Sequence, residues 1–424
     1  MKKNKIIFIF LLSVISQFAK AQVDSSFNRY NLKFKEYIQL VSEHNLGYNA
    51  EKLNIDISIA AIDVAKIFPD PSFSFGWTDN SESNVRAGYD IASELGFTLE
   101  LGGKRKTRID LARSESELTK ALVLDYFRNL QAEASMVYIE ALKQNYLFKV
   151  KYDSYITMKQ LSKADSVRYK LGSIMEIDAA QSNVETGILL NDLLQSEAEW
   201  KNSLHQISFM TGELKSDSVY FPTGSLFISD RSFEFKNLIT TAQNNRADLL
   251  VALNDKDVSE KALRLARKER IADVDLSIGV ENSYLVPNGS QSAQAISAGI
   301  SIPLKFSNLH KGELKIAQLQ VQQTDELYNQ AELQIQNEIK QALQNYNASC
   351  KQVDNFDKGL LENALSVKKG KVYSYERGET SLLEVLNAQR TYNEIQTAYY
   401  EALFNRATAL IELEKAAGIW DIDF

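Results

Sequence analysis

The chain has 424 residues, a formal net charge of −7 and a single cysteine, Cys350. One cysteine excludes an intramolecular disulfide. An acidic chain is a poor match for nucleic acid, because phosphate binding needs clustered Lys and Arg, so we expect no nucleic-acid partner. Beyond the first 21 residues no run of about 18 consecutive apolar residues occurs, so a protein of this sequence would span a membrane as a β-barrel rather than as helices.

Residues 1–21 have the pattern of a secretory signal peptide. A basic start at positions 2–5 precedes an apolar segment, Ile6 to Phe18, and the small-residue cleavage pattern Ala-Lys-Ala at positions 19–21. The apolar segment is too short for a membrane span, although an anchoring helix is the alternative interpretation. Gln22 stands where a lipoprotein has Cys, so we expect an exported chain without a lipid anchor.

The remaining chain contains an internal duplication. Helical positions recur 206 residues later and strand positions recur 203 residues later. The recurring helical residues are Tyr169, Gly172, Leu204 and Gly212, which return as Tyr375, Gly378, Leu410 and Gly418. A repeat of this size predicts two similar structural units. We place the first repeat at residues 22–212, a connecting equatorial segment at 213–232, the second repeat at 233–418 and a C-terminal tail at 419–424.

Two short strands are predicted in each repeat, at residues 72–78 and 95–101 and again at 274–280 and 296–304. Apolar and polar residues alternate in all four, which places the two sets on opposite faces of a sheet. The polar face is small and hydroxyl-bearing, as in a wet channel lumen, and the strand lengths suit tilted bilayer-crossing strands of about 9–11 residues. The residues expected to face lipid are Phe73, Phe75, Trp77, Leu95, Phe97, Leu99, Leu276, Ile278, Ile300 and Ile302. A half-buried sheet in a soluble protein is the alternative.

Four strands are too few to close a membrane barrel, because the smallest barrels have about eight. Open sheet edges are not tolerated in lipid, so the chain must assemble with other copies of itself. Two copies would supply eight strands and three would supply twelve, and only the larger barrel leaves an aqueous passage. The polar segments Asp79 to Ser93 and Asn282 to Gln294 are predicted to be the loops between paired strands.

Long helices follow each pair of strands, from about Lys104 to Arg168 and from about Gly312 to Tyr375. At 1.5 Å per residue, a helix of some 60 residues would extend about 90 Å from the strands. Gly172 and Gly378 are suited to end these helices, and a second helix follows each of them, which predicts a hairpin tip at the far end of each repeat. Shorter helices, roughly Asn31 to Ile67 and Phe233 to Arg270, lead into the strands; a plain coiled coil is the alternative for the helical part.

Residue patterns for catalysis or metal binding are absent from the sequence. His44, His205 and His310 are scattered without ligand spacing, and no nucleophile elbow, P-loop or HExxH motif occurs. The segment Gly102-Gly103-Lys104 lacks the other residues of a phosphate loop and is better explained as a strand-to-helix turn. We therefore expect no enzymatic activity, no cofactor and no metal site.

Several segments resemble the TolC family of outer-membrane efflux channels, and the resemblance extends from about residue 33 to 418. The segments similar to family motifs are 378–389 (GETSLLEVLNAQ), 172–181 (GSIMEIDAAQ), 69–73 (PDPSF) and 300–304 (ISIPL). The hexapeptide ELGGKR at 100–105 resembles the CzcC-like cation-efflux branch.

The resemblance implies a mixed fold of long α-helices and transmembrane β-strands. Three copies would form a homotrimer with a twelve-stranded barrel in the outer membrane of a Gram-negative bacterium and a helical tube, or α-barrel, in the periplasm. Such a channel conducts passively. Its implied partners are outer-membrane lipid, a periplasmic membrane-fusion adaptor and an inner-membrane transporter, most simply one of the RND type.

Site residues follow from the same resemblance. The adaptor would dock on the hairpin tips, at Tyr169, Lys170, Leu171, Gly172, Ser173, Arg377, Gly378, Glu379 and Thr380. The resemblance implies that Tyr375 and Asp178, on neighbouring hairpins, help to hold the aperture shut, and that Glu384 and Asn387 constrict it. Two positions depart from the family: Asn387 stands where an acid is expected, and Thr380 stands where an Arg is expected.

Two other functions are compatible with the sequence. One is the outer-membrane component of a type I protein secretion system, which would use the same channel. The other is a soluble periplasmic coiled-coil scaffold carrying a small sheet. The exported substrate, whether metal cation, drug or protein, is not determined by these residues.

Overall fold

The computed structural model describes residues 28–80, 88–213, 218–229, 231–284, 292–304 and 309–424. The predicted signal peptide and parts of both predicted strand-to-strand loops, residues 81–87 and 285–291, lie outside the described residues. The strands are β1 (Asn28–Lys33), β2 (Ser72–Asp79), β3 (Tyr89–Leu99), β4 (Ser218–Thr223), β5 (Val274–Tyr284) and β6 (Ser292–Ser301). The helices are α1 (Phe34–His44), α2 (Leu46–Ala65), α3 (Lys104–Lys170), α4 (Glu176–Met210), α5 (Phe235–Asn245), α6 (Ala247–Glu269), α7 (Lys311–Asp357), α8 (Leu360–Glu376) and α9 (Leu382–Ala417).

The first long helix is continuous, as predicted. Helix α3 spans 67 residues, which corresponds to about 100 Å at the usual rise per residue. It starts directly after Gly102 and Gly103, which adopt φ values of +75° and +73° and so turn the chain from strand to helix. Within the described part of the chain, no helix is both long and apolar enough to cross a lipid bilayer.

The prediction of a single long helix in the second repeat is wrong. Helix α7 ends at Asp357 and α8 begins at Leu360, with Gly359 between them at a φ of +101°. That conformation is incompatible with a continuing right-handed helix and is accessible to Gly without strain. The first repeat has no Gly inside α3, so α3 is continuous and its counterpart in the second repeat is divided into α7 and α8.

The two helices leading into the strands are also interrupted, each at one residue. Residues 28–33 form β1 instead of helix, and Asn45 separates α1 from α2, where its side chain accepts a hydrogen bond from the Tyr48 backbone N–H at 3.0 Å. This capping interaction starts a new helix. In the second repeat, Arg246 also has an extended conformation and separates α5 from α6, although its side chain makes no capping hydrogen bond.

The main sheet has the strand order β2-β3-β5-β6, and all three pairings are antiparallel. Leu95 lies opposite both Phe73 and Ile278, and Leu276 lies opposite Phe97 and Ile300. Directly opposed residues share a face, so this register places the predicted apolar residues of the four strands on one face of the sheet. Ile302 lies just beyond the end of β6.

The apolar face is exposed in the single chain. Phe73, Phe75 and Trp77 are 67%, 65% and 61% exposed, whereas Leu276 is half-buried. The opposite face carries Ser, Thr, Gly and a few acids, in agreement with the predicted alternation. All four strands are longer than predicted, at 8, 11, 11 and 10 residues, a length that suits tilted transmembrane strands. Strands β3, β5 and β6 extend into the predicted loops, at residues 89–93, 282–284 and 292–294, so those parts of the loop prediction are wrong.

A second, two-stranded sheet was not predicted. Strands β1 and β4 pair in parallel, with Tyr30 opposite Tyr220. The Tyr138 hydroxyl lies 2.9 Å from the Leu32 carbonyl oxygen and 2.6 Å from that of Thr223, so α3 is tied to both strands. Strand β4 belongs to the connecting segment 213–232, so the two repeats meet at this small sheet.

The main hydrophobic core surrounds this small sheet. Its fully buried large side chains include Phe34, Tyr37, Tyr138, Ile207, Ile339, Leu403 and Leu410, from both repeats. Residues of the C-terminal tail join it: Ile422 is buried, and the Phe424 ring packs edge-on against Phe34 with centroids 5.0 Å apart. The core therefore lies between the sheet and the hairpin tips and joins the two repeats.

The duplication is visible in matched side-chain contacts. Ser58 of α2 and Ser116 of α3 lie with their hydroxyl oxygens 2.9 Å apart. In the second repeat, Ser259 of α6 and Thr324 of α7 have the same separation of 2.9 Å. Small hydroxyl residues at these positions let the two helices of each pair approach closely while their polar atoms remain satisfied.

A buried carboxylate connects the tail to the second repeat. Glu414 of α9 is fully buried, and its Oε1 lies 2.6 Å from a guanidinium nitrogen of Arg231, which also makes a two-nitrogen contact with Asp421 at 2.7 and 2.9 Å. Burial raises the pKa of Glu414 to about 7, and the neighbouring Asp421 adds to this shift. Arg231 opposes the shift at close range but is shared by two carboxylates, so it does not restore the ordinary pKa.

We predict a pH dependence of stability from Glu414. A pKa raised above the unfolded value means that the stabilising contribution is complete below that unfolded value, 4.5, and is lost as the pH rises through about 7. The melting temperature of the detergent-solubilised protein should therefore fall between about pH 4.5 and about pH 7 and level off above that, and Glu414→Gln should flatten this fall. Thermal melting followed by tryptophan fluorescence measures it.

The matched control is Glu412→Gln, because Glu412 is exposed on the same helix. This variant should keep the pH dependence of the unmodified protein. An equal slope in Glu414→Gln and the unmodified protein would contradict the assignment to Glu414.

Candidate functional site at the hairpin tips

The two hairpin tips have the same backbone structure. At the first tip, the Gly172 N–H donates to the Tyr169 carbonyl at 2.9 Å and the Ser173 N–H donates to that of Arg168 at 2.8 Å. At the second tip, 206 residues later in the sequence, the Gly378 N–H donates to the Tyr375 carbonyl at 3.0 Å and the Glu379 N–H donates to that of Ser374 at 2.9 Å. This is the Schellman ending, and it depends on the positive φ of the two glycines, +71° and +76°.

The predicted docking residues lie on the outside of these tips. All nine are exposed except Thr380, which is half-buried. Arg377 is held in place, since its guanidinium contacts Glu379 at 2.9 Å and donates to the Tyr373 hydroxyl at 2.8 Å. The second tip therefore presents an ordered, charged surface.

The first tip is apolar, a feature that was not predicted. Leu171, Met175 and Ile177 are 75%, 67% and 66% exposed around the turn. Val167 is also exposed. The sequence signal was present, because four large apolar residues flank Gly172 where a solvated turn would carry polar side chains. Clustered exposed apolar side chains indicate a surface that another molecule covers.

The two hairpins of one chain are joined by a buried polar contact. The Tyr375 hydroxyl of α8 donates to Oδ1 of Asp165 in α3 at 3.0 Å, and both side chains are buried. The Arg168 guanidinium lies 4.9 Å from the centroid of the Tyr375 ring and 3.7 Å from the same carboxylate oxygen. Around this contact pack the apolar side chains of Met158, Leu189, Leu382, Val385 and Leu386.

The electrostatics of this contact favour a neutral tyrosine beside a carboxyl group that is costly to ionise. Burial raises the pKa of Asp165; the hydrogen bond from Tyr375, the nearby Ser182 hydroxyl and the Arg168 charge oppose this shift. Burial and the bond to Asp165 also raise the pKa of Tyr375, so the phenol remains a donor at neutral pH. The second oxygen of Asp165 is buried without a hydrogen-bond partner among the described residues. The free-energy cost of removing this carboxyl group from water is therefore only partly offset.

The Tyr375 hydroxyl bonds to Asp165 of its own chain rather than to Asp178, the residue predicted to meet it. Asp178 lies in the first turn of α4, half-buried, and is near enough for its charge to raise the pKa of both Tyr375 and Asp165. The sequence signal for Asp165 was its spacing: Met158, Ser162 and Asp165 share the buried side of α3.

The other two predicted aperture residues share one exposed side of α9. Glu384 and Asn387 are exposed, whereas Val385 and Leu386 are buried between them. Lys371 of α8 forms an ion pair with Glu384, and that hydrogen bond lowers the pKa of the carboxyl group. One acid and one amide are therefore available on this side, as the sequence indicates, and the acid is already neutralised by a lysine of its own chain.

Comparisons with known proteins agree with this architecture. Residues 238–419 match the family described as outer membrane efflux protein. The cobalt-zinc-cadmium resistance protein CzcC of Cupriavidus metallidurans is 20% identical over 387 residues, which cover 91% of this chain and 90% of CzcC. The family match lies in the second half of the chain, and together with CzcC it makes outer membrane efflux proteins the family that this chain resembles.

Solved structures of channels share the fold. A structure of CusC, described in connection with transmembrane channel formation, has a TM-score of 0.74 at 16% identity, covering 92% of this chain and 93% of that one. The CmeC outer membrane channel of Campylobacter jejuni has a TM-score of 0.74 at 15% identity, covering 91% and 85% of the two chains. The expectations of a TolC-like fold and of a transport protein rather than an enzyme are confirmed by the family, and the family also supports an outer-membrane location.

We predict that Tyr375 holds α8 against α3. In Tyr375→Phe, the buried Asp165 carboxyl loses the hydrogen bond from Tyr375, a loss that costs about 1–3 kcal/mol. Amide hydrogen exchange in residues 360–376 should therefore accelerate, measured by mass spectrometry on the solubilised protein. Tyr373→Phe is the matched control, because Tyr373 is exposed on the same helix and its hydroxyl contacts only the tip residue Arg377. Equal acceleration in both variants would contradict the role of the buried contact.

Proposed function

We propose that this protein is the outer-membrane exit channel of a tripartite efflux pump and conducts its substrates passively. One observation carries the proposal: a sheet with one apolar, exposed face continues directly into helices of up to 67 residues. The sheet has the features of a membrane segment, and the helices have the length of a tube that extends far into an aqueous compartment. The family and the shared fold of solved channels support the same function.

Three copies would complete the channel. In one chain, β2 and β6 are the outer strands of the sheet, and lipid does not tolerate their unpaired backbone groups. Pairing β2 of one copy with β6 of the next closes a twelve-stranded barrel with the apolar face outward and the Ser-, Thr- and Gly-rich face inward. A barrel of this size leaves room for a water-filled passage.

At the opposite end, the hairpin tips would receive a periplasmic adaptor that connects the channel to an inner-membrane transporter, for which the RND type is the simplest proposal. The apolar first tip and the charged second tip offer the adaptor two chemically different surfaces. The relative CzcC is named for resistance to cobalt, zinc and cadmium, which makes metal cations the first substrates to examine. Co-purification of the cross-linked protein with its adaptor, followed by a susceptibility panel of a deletion strain, tests these partners and distinguishes a drug or metal pump from type I protein secretion.

We predict that the apolar face of the sheet is required for membrane assembly. Phe75→Arg places a charge on that face, which costs about 2–4 kcal/mol near the bilayer midplane. Heat-modifiable oligomers in the outer-membrane fraction should therefore decrease strongly. Ser74→Arg, one residue away on the opposite face, is the matched control and should assemble normally. Release of the unmodified protein by osmotic shock would instead favour a soluble scaffold.

We further predict that the Tyr375–Asp165 contact restricts the aperture. In planar bilayers, combining Tyr375→Phe with Asp165→Asn should raise the single-channel conductance several-fold, because α8 is no longer tied to α3. The control combines Tyr373→Phe with Asp178→Asn and should leave conductance near that of the unmodified channel. If the control raises conductance and the Asp165 variant does not, Asp178 is the residue that closes the aperture, as the family resemblance implied.

A further inference from the structure

Basic residues are concentrated where the chain passes between helices and sheet. Four segments make these passages, residues 63–70, 100–113, 264–273 and 309–315, and we name them together the collar. The collar contains twelve Lys and Arg against seven Asp and Glu, a surplus of five positive charges in a chain whose formal net charge is −7. The net charge of the rest of the chain is therefore strongly negative, whereas that of the collar is positive.

The four segments lie side by side. The Arg105 Nε donates to the Lys66 carbonyl oxygen at 2.6 Å, which joins the first segment to the second. Lys104 contacts Asp273 at 2.7 Å, which joins the second to the third. The Arg270 Nε donates to the Leu309 carbonyl oxygen at 3.1 Å, which joins the third to the fourth. The collar is thus one continuous band that follows the strand order of the sheet.

Exposed apolar side chains accompany the cations along this band. Ile67, Phe68, Leu101, Ile271 and Leu309 are all exposed, between 40% and 64%. The guanidinium of Arg105 lies 4.1 Å from the centroid of the Phe68 ring. A band that combines exposed apolar groups with long cationic side chains matches the boundary between the hydrocarbon and the headgroups of a bilayer, where such side chains extend their charge toward the polar region.

The collar cations are of two kinds. Lys104 and Arg108 make ion pairs with Asp273 and Glu100, both at 2.7 Å, and these pairs hold the junction together. Others are exposed and make no ion pair within the described residues, among them Lys106, Arg267, Lys268 and Lys311. These four are not needed for the contacts that join the segments, so their charge is available to an external anion.

We propose that the collar binds the phosphate headgroups of anionic phospholipids in the membrane leaflet that adjoins the helical tube. The proposal rests on the proposed function, because it requires the sheet to lie in a bilayer. Anionic headgroups attract clustered Lys and Arg close to the surface, and the neighbouring Phe68 and Leu101 would contact the upper part of the acyl chains. A lipid satisfies both features of the collar, whereas inorganic phosphate satisfies only the charge.

The experiment compares two variants that lose the same charge at different places. The collar variant carries Lys106→Gln, Arg267→Gln, Lys268→Gln and Lys311→Gln. The control variant carries Lys340→Gln, Lys351→Gln, Lys358→Gln and Lys369→Gln, four exposed lysines of α7, α8 and the turn between them. The purified, detergent-solubilised oligomer is titrated with phosphatidylglycerol or phosphatidylcholine, and bound lipid is counted by native mass spectrometry.

The unmodified protein and the control variant should bind phosphatidylglycerol at least about threefold more tightly than phosphatidylcholine, and about 0.5 M salt should remove this preference by screening. The collar variant should show no preference. An equal preference in the collar variant, or an equal loss in the control, would overturn the proposal. So would displacement of the lipid by inorganic phosphate at constant ionic strength, since that result identifies a simple anion site.

Membrane fractionation and bilayer conductance of the same three proteins separate this proposal from the proposed function. An unmodified protein that inserts and conducts but shows no lipid preference would refute the collar alone. An unmodified protein that is absent from the outer membrane would refute the channel itself.

Discussion

Backbone hydrogen bonding at the outer strands of the sheet sets the requirement on which the rest of the structure depends. In the order β2-β3-β5-β6, the inner strands satisfy each other, while β2 and β6 each have one strand neighbour within the described residues. The exposed apolar face of the same strands favours lipid, where an unpaired N–H or C=O costs several kcal/mol. In the proposed channel, assembly with further copies is therefore a condition for membrane insertion, and it would bring together the long helices that leave the sheet.

The long helices of the two repeats differ in continuity. Helix α3 runs without interruption from the sheet to the first tip, whereas its counterpart changes direction at Gly359 before continuing as α8. Most of α8 is exposed, and its fully buried side chain is Tyr375, at the end near the tip. The continuous helix can therefore act as a fixed wall, and the interrupted one can move once the Tyr375–Asp165 contact is released. Local elements with few buried contacts are the ones that open most readily.

Between the sheet and the tips, the small β1–β4 sheet and the core around Tyr138 hold both repeats and the C-terminal tail together. Glu414 and Arg231 belong to this region, and so does the Phe424 ring against Phe34. A well-packed middle allows the two ends to differ: the sheet end is suited to lipid and the tip end to a protein partner. The collar lies where the helices join the sheet, and there charged side chains and exposed apolar side chains occur together.

Much of the architecture follows from local patterns in the sequence. Period-two alternation identified all four strands of the main sheet and their apolar face, and the absence of Gly and Pro identified α3, because both signals depend on neighbouring residues of the backbone. The repeat of Gly172 and Gly378 located both tips for the same reason. The breaks at Asn45, Arg246 and Gly359 were missed, since the apolar pattern continues across them and the capping or change of direction involves only one residue.

The sequence by itself determined the elements, the duplication and the two faces of the sheet, since these are recorded in spacings of two to four residues. Only the tertiary structure decided the partners. Asp165 rather than Asp178 contacts Tyr375, although 210 residues separate the pair. Strands β1 and β4 pair although most of the first repeat lies between them in the sequence. Four distant segments combine to form the collar. Such contacts depend on how helices pack against each other, and the free energy of that packing is a property of the folded whole rather than of any local pattern.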